Sequence, residues 1–95
     1  MFIVFLRFSG NKAEAGRFMD GHNEWVSQGF KDGVFLLVGG LEPGAGGGII
    51  AHNTTLPKLE ARVSADPFVT ANVVSAQIME IAPAKADERL AFLLG

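Results

Sequence analysis

The chain contains no cysteine and no tyrosine, and it has only two histidines among its 95 residues. Without cysteine it can form neither a disulfide nor a thiolate metal site. Long apolar runs are also missing, since none approaches the roughly 20 residues that cross a bilayer. The apolar start, residues 1–6, is followed by Arg7 and not by a small-residue cleavage site, so it does not resemble a signal peptide. We therefore expect a cytoplasmic protein that does not bind a membrane.

Basic charge is scarce as well. Eight Lys and Arg residues stand against ten Asp and Glu residues, which gives a net charge of −2. The basic residues are scattered along the chain and form no stripe that could follow a phosphate backbone. This pattern predicts that nucleic acid is not a partner.

Hydrophobic residues, by contrast, make up 48% of the chain, and the mean hydropathy is +0.28. A chain of this length forms one domain, for which we predict a core over residues 1–83 and a helical tail over residues 84–95. A domain this small buries a modest share of its surface. Association with another chain would hide more of the apolar residues, so we expect an oligomer.

The order of apolar and polar residues predicts a β-α-β-β-α-β chain. The first strand covers residues 2–8, and a helix with an apolar stripe every three or four residues follows from Ala13 to Lys31. Two strands over 34–41 and 47–53 form a hairpin, and a helix capped by Thr54 or Thr55 stops at Asp66. A short helical turn, a last strand over 73–81 and a small amphipathic helix over 87–94 complete the chain. This is a ferredoxin-like α+β fold with a four-stranded antiparallel sheet.

Strands one and two carry apolar residues on both faces. In residues 2–6, for example, Ile3 and Phe5 alternate with other apolar side chains and not with polar ones. A ferredoxin-like sheet has helices on only one face, and a face that met water would be polar. The simplest cover for the second face is the sheet of an identical chain, which predicts a homodimer and leaves larger assemblies open.

His22 is the leading candidate for chemistry. It lies in the apolar stripe of the first helix, four residues after Phe18 and three before Trp25, so its ring points toward the sheet. One interpretation is a core histidine bonded to a backbone carbonyl. The other is a functional histidine oriented by Asp66, whose ordinary role would be to cap the short turn that follows it. Spacing in the sequence leaves both interpretations open.

Other kinds of site have little support. A metal site made of His22, His52 and Asp66 is conceivable, but these residues show no ligand spacing, and His52 is expected to be a surface residue at a strand end. The glycine-rich stretch 39–48 lacks the Gly-Lys-Ser/Thr of a phosphate loop and leads into a strand. It predicts a hairpin in which the backbone approaches a cleft. We expect no metal and no cofactor.

The pattern resembles the YCII-related (YciI-like) family over almost the whole chain. The resemblance is carried by His22 with Gly33, by residues 38–41 (Val-Gly-Gly-Leu), and by residues 65–69 (Ala-Asp-Pro-Phe-Val). Asn72 stands where many members have glycine, a change that asparagine tolerates because it too adopts the left-handed conformation.

The resemblance implies the dimeric α+β barrel fold and a small-molecule pocket containing His22 and Asp66. The few family members with known activity include enzymes that remove HCl from chlorinated aromatic compounds, and the fold is similar to that of muconolactone isomerases. We predict His22 and Asp66 as the catalytic pair. The predicted substrate-binding residues are Arg7, Trp25, Gly39, Gly40, Pro67 and Phe68.

Two functional hypotheses follow, with a third behind them. The first is an enzyme in which His22 and Asp66 act as a general acid/base pair for isomerisation or elimination on a small cyclic or aromatic compound. The second is a metabolite-binding or accessory dimer without catalysis, because no second strong catalytic group accompanies Asp66. The third is a purely structural dimer in which His22 is a satisfied core residue.

Overall fold

The computed structural model describes all 95 residues and shows four strands, with helices between the first and second and between the third and fourth. The strands are β1 (Phe2–Phe8), β2 (Phe35–Leu41), β3 (Gly46–Ala51) and β4 (Val74–Glu80). The α-helices are α1 (Ala15–Lys31), α2 (Leu56–Ser64) and α3 (Pro67–Thr70), and 3-10 helices cover Lys12–Glu14 and Glu88–Leu94. The strands lie in the order β2-β3-β1-β4, and every neighbouring pair is antiparallel. The predicted ferredoxin-like α+β fold is confirmed.

Local chemistry accounts for most of the element ends. Thr55 caps α2 by accepting a hydrogen bond from the Lys58 backbone N–H, as the sequence predicts. Gly33 after α1 and Asn72 before β4 both have positive φ, at 73° and 58°. The helix α2 ends at Ser64, two residues before the predicted stop at Asp66. Asp66 itself is extended and caps α3, as expected for the residue before Pro67.

The tail after β4 contains the helix that was predicted for residues 87–94. Residues 88–94 form a 3-10 helix, and Leu90, Phe92 and Leu94 are about half exposed. A short isolated helix is marginal in water and depends on packing for its stability. Here no residue of the tail is fully buried, so packing against the rest of the chain contributes little to its stability.

The hydrophobic core lies between the helices and one face of the sheet. On β1 the residues Phe2, Val4 and Leu6 are buried, and they alternate with residues that face the other way. Leu59 and Val63 of α2 and Phe68 of α3 close this core from above. Two α1 residues that the pattern places on the buried face, Met19 and Phe30, remain 41% and 45% exposed.

The opposite face of the sheet has no helix over it. Register places Ile3, Leu37, Ile50 and Met79 on this open face, and Leu37 and Met79 are more than half exposed. Arg7 lies on the same face and donates a hydrogen bond from Nη1 to Oε1 of Gln77 at 2.7 Å. The structure therefore has a sheet face that is largely apolar and uncovered within the chain.

The helices themselves do not suit a membrane crossing. None of them combines the length with the apolar character that such a span requires.

Candidate functional site

His22 and Asp66, which are 44 residues apart in the chain, meet at the junction of α1 and α3. Nδ1 of His22 lies 2.8 Å from Oδ1 of Asp66. The Asp66 side chain is fully buried, whereas 15% of the His22 side chain is exposed. An ionised carboxylate can only accept hydrogen bonds, so it places the imidazole proton on Nδ1. The ring is thereby held in one tautomer, with Nε2 as its second nitrogen.

Asp66 acts as a helix cap and as the histidine partner through the same oxygen atom. Its Oδ1 also accepts the backbone N–H of Phe68 at 3.0 Å, which is the N-cap bond of α3. Its Oδ2 is buried and has no hydrogen-bond partner in the protein. A buried carboxylate oxygen without a donor is costly, so interactions at Oδ1 must offset much of this cost.

Aromatic rings fix the plane of the His22 ring. Phe68 stacks on it almost in parallel, with 4.0 Å between ring centroids and 4° between planes. The Trp25 ring lies further away, with its centroid at 5.8 Å and its plane at 27°. The hydrogen bond to Asp66 and the stack on Phe68 constrain the imidazole in two directions. This arrangement is typical of a preorganised side chain.

Two polar contacts between α1 and α2 support that arrangement. One turn after His22, the Trp25 Nε1–H donates to the backbone oxygen of Arg62 at 2.9 Å. The Arg62 guanidinium in turn donates to Oδ2 of Asp32 at 2.9 Å, at the end of α1. A side-chain hydrogen bond from Gln28, followed by that from Arg62, holds the pKa of Asp32 below its ordinary value. The His22–Asp66 pair is therefore the first of a row of contacts that ties α1 to α2 and α3.

A cavity of about 390 Å³ lies beside His22, between α1 and the sheet. Its apolar wall consists of Leu6, Phe8, Met19, Phe68 and Val74. Its polar side chains are those of His22 and Asn23, and three glycines complete the lining, Gly40, Gly46 and Gly47. His22 is the only ionisable residue in this lining. Its Nε2 makes no hydrogen bond within the protein, so that nitrogen can serve a bound molecule.

Three of the residues predicted from the sequence line this cavity: His22, Gly40 and Phe68. Asp66 lies behind His22 and does not reach the cavity lining. Trp25 and Pro67 line a separate groove between α1 and the junction of α2 and α3.

The remaining two predicted residues lie on the other side of the sheet. Gly39 precedes Gly40 on β2, and Arg7 follows Leu6 on β1, so alternation turns both toward the open face. The structure does not bring Arg7, Gly39, Trp25 or Pro67 to the cavity beside His22.

The sequence reasoning missed several lining residues, among them Leu6, Phe8 and Val74. Strand alternation could have found them, because Leu6 and Phe8 share a face with Val4, and Val74 pairs with Phe8. Asn23 and Met19 could have been found as neighbours of His22 on the same helix.

His52 lies away from this site. Its ring is 5.5 Å from the ring of Phe92 in the tail, and it lines a different groove together with Met1. No group of three or more His, Asp or Glu side chains is placed to hold a metal ion. The structure therefore does not bring His22, His52 and Asp66 together.

Comparison with known proteins finds a similar solved structure but no similar sequence. No protein-family model matches the chain, and no curated protein matches its sequence. Among solved structures the chain is similar to 5-chloro-2-hydroxyhydroquinone dehydrochlorinase (TftG) from Burkholderia phenoliruptrix AC1100, in complex with 2,5-dihydroxybenzoquinone. The TM-score is 0.68 at 13% identity, over 85% of this chain and 93% of that one. At this identity the similarity shows a common fold.

Proposed function

We propose that this chain is a small-molecule enzyme in which His22 is the general acid/base and Asp66 orients it. The observation that carries the proposal is the 2.8 Å contact between Nδ1 of His22 and the fully buried Asp66. It assigns Nδ1 to the carboxylate and leaves Nε2 for a molecule in the adjacent cavity. Geometry of this kind, in which a base is oriented by a third group, is the usual arrangement of a proton-transfer site.

The chemistry is proton removal from carbon or oxygen of a ring substrate. Nε2 accepts the proton, and the electron pair left behind forms a new double bond. In an elimination, the leaving group departs with its bonding electrons. In an isomerisation, an existing double bond of the substrate opens, and its electrons take the proton that Nε2–H returns to another atom. The imidazolium that forms in either case is stabilised by the buried carboxylate at Nδ1.

The substrate class follows from the cavity and from the structural neighbour. The wall beside His22 is mostly apolar, which suits a ring, and a small number of polar groups would orient it. The neighbour is a dehydrochlorinase of a chlorinated hydroxyhydroquinone and was solved with a dihydroxybenzoquinone. We infer that this chain acts on a small cyclic or aromatic compound, in the manner of the YCII-related family.

The decisive experiment measures turnover by variants of His22. With 5-chloro-2-hydroxyhydroquinone and a panel of hydroxyquinones and lactones as substrates, His22→Ala should lower kcat by about 10²- to 10⁴-fold. His22→Asn is the matched variant, since its amide can still donate to Asp66 but has no equivalent of Nε2. It should fold like the wild type and show the same loss. Full turnover by a folded His22→Asn protein would rule out this mechanism.

A second candidate function is a metabolite-binding module without catalysis. It is favoured by one observation: His22 is the only ionisable side chain in the cavity lining, so no second acid or base is at hand. A ligand recovered unchanged from the purified protein, after prolonged incubation, would support this alternative. Its consumption would exclude it.

We further propose that the chain works as a homodimer of YCII-like domains that span residues 1–95, paired through the open face. The exposed apolar side chains of Leu37 and Met79 would then be covered by the equivalent face of a second copy. Analytical ultracentrifugation should give twice the mass of the chain. Replacing Leu37 by Asp should shift the protein toward monomer, and a wild type that sediments as a monomer would refute the pairing.

A further inference from the structure

Two glycines create the cavity beside His22, and they do so by leaving out side chains. Gly40 and Gly47 are directly paired across β2 and β3, and Gly47 pairs on its other side with Leu6. Leu6 is buried on the helix side of the sheet. The row across the sheet therefore reads Gly40, Gly47, Leu6, and its first two positions carry no side chain under α1.

The neighbouring row of paired residues shows which kind of side chain occupies this face of the sheet elsewhere. Two residues away, Val38 pairs with Ile49, which is 2% exposed and fills the layer between sheet and helices. Because side chains alternate along a strand, Gly40 and Gly47 point to the same side as Val38 and Ile49. The missing layer is local to one pair of residues.

The space above the two glycines is open. A Cβ on Gly40 would have only the Gly46 backbone oxygen nearby, at 3.9 Å, and one on Gly47 would have only the Gly39 oxygen, at 3.6 Å. Neither residue has a positive φ, so neither needs to be glycine for backbone reasons. Gly46 differs, because its φ is 131° and a Cβ there would collide with the Leu6 backbone. Turn geometry accounts for Gly46 but not for Gly40 or Gly47.

Glycine inside a strand is unfavourable unless something must approach the backbone closely. The gap over Gly40 and Gly47 is open, and its floor consists of the peptide groups of these two residues. His22 and Asn23 of α1 are the polar groups in the same lining. A planar ring can lie flat on a floor of peptide groups, whereas a puckered ring of the same size is thicker.

We propose that the Gly40–Gly47 pair is the specificity-determining element of the site. It selects planar six-membered rings that lie on the peptide floor with an edge at Nε2 of His22. This inference rests on the proposed function for the location of the chemistry, but it concerns which molecules enter. It also predicts a trade-off, since filling the gap stabilises the protein and excludes the ligand.

The test is binding of two rings by isothermal titration calorimetry. The planar probe is 2,5-dihydroxybenzoquinone, and the puckered probe is 1,4-cyclohexanediol. The wild type should bind the planar ring at least ten times more tightly. Gly47→Val and Gly40→Val should lose at least tenfold in affinity for the planar ring. Should a valine variant fail to fold, Gly47→Ala and Gly40→Ala give a smaller loss in the same direction.

Gly39→Ala is the matched control, because it removes a glycine from the same strand but adds its methyl group to the open face, where nothing lies within 4 Å. It should bind the planar ring like the wild type, and its sedimentation should be checked because of that location. The alanine variants at 40 and 47 should also raise Tm by roughly 2–6 °C, since they reduce the freedom of the unfolded chain.

The two proposals fail separately. His22→Asn should still bind the planar ring while losing turnover. Wild-type-like binding by both valine variants, or a wild type that does not prefer the planar ring, would overturn the role of the glycines and leave His22 untouched. Full turnover by His22→Asn would instead remove the proton-transfer mechanism and leave the binding selectivity as measured.

Discussion

The two ends of α1 use glycine in opposite ways. Near its C-terminus the glycine is on the helix, at Gly29, and the ring of Phe35 from β2 fills the space against it. Near its N-terminal half the glycines are on the sheet, at Gly40 and Gly47, and the space above them is open. The first arrangement brings helix and sheet into contact, and the second leaves a gap between them.

The difference shows how one helix can be anchored and still cover a cavity. We call the end of α1 near Gly29 the closed end and the end near Gly40 and Gly47 the open end. At the closed end, Phe35 packs edge-on against both Trp25 and Phe30, and Arg62 donates a hydrogen bond to Asp32. These contacts anchor α1 at its C-terminal end. His22 lies between the two ends and can therefore be held against Asp66 although part of its side chain lines the cavity. The packing at the closed end offsets the cost of a cavity at the other.

The closed end should be the most sensitive to a single methyl group. In Gly29→Ala the new Cβ would overlap the ring of Phe35, which is buried and has no free space to move into. Overpacking of this kind costs about 1–3 kcal/mol, so the free energy of unfolding in urea should fall by that amount. The comparison with the open end is direct, because Gly47→Ala should raise the same quantity. Equal effects at both positions would contradict the distinction.

Trp25 connects the closed end to His22, and a milder change there should have a smaller effect. Trp25→Phe keeps an aromatic ring but removes the donor to the Arg62 oxygen, which still accepts the Ala65 backbone N–H at 3.1 Å. We expect a loss of about 1 kcal/mol in unfolding free energy, the usual net contribution of such a bond. We also expect a modest drop in kcat, because α1 is held less firmly. An unchanged Tm would show that the bond contributes nothing to anchoring.

The smallest effect should come from Asp32, which is exposed. Hydrogen bonds from Gln28 and then Arg62 lower its pKa in the folded protein, so its stabilising contribution is complete above the unfolded value, about 3.9. That contribution is lost as the pH falls through the lower folded value. Asp32→Asn should therefore flatten the acid side of a plot of Tm against pH below about 4. Wild type and variant with parallel profiles there would show that Asp32 plays no part in acid unfolding.

Residues whose role involves only the backbone nearby in the sequence could be predicted well. Thr55 and Asp66 cap helices, and Gly33 and Asn72 adopt left-handed conformations, because these roles depend on the side chain and its nearest neighbours. The order of strands and helices followed from the spacing of apolar residues, which is also a property of residues that are close in the sequence. The C-terminal helix was also predicted, within one residue, but the sequence pattern did not indicate that it is a 3-10 helix.

The candidate site could not be predicted in the same way, because it depends on contacts between residues that are far apart in the sequence. Spacing alone left His22 open to a structural or a functional role, and the resemblance to a family was needed to prefer the second. Gly39 and Gly40 are indistinguishable as a dipeptide, yet only Gly40 lines the cavity. Arg7 and Leu6 are likewise adjacent, and only Leu6 does so. A shift of one residue reverses the face in a strand, so strand register decides which member of each pair lines the cavity.

The sequence by itself therefore determined the order of elements and their caps, which arise from interactions between near neighbours. It also determined the apolar character of both sheet faces, which follows from the residues that occupy the strands. Tertiary structure alone brought His22 to Asp66 across 44 residues and laid α1 over the Gly40–Gly47 pair, whose pairing is set by the β2–β3 hairpin. Those meetings result from packing two helices on one face of a sheet. No local preference encodes them, because the residues involved come close only when the whole domain has folded.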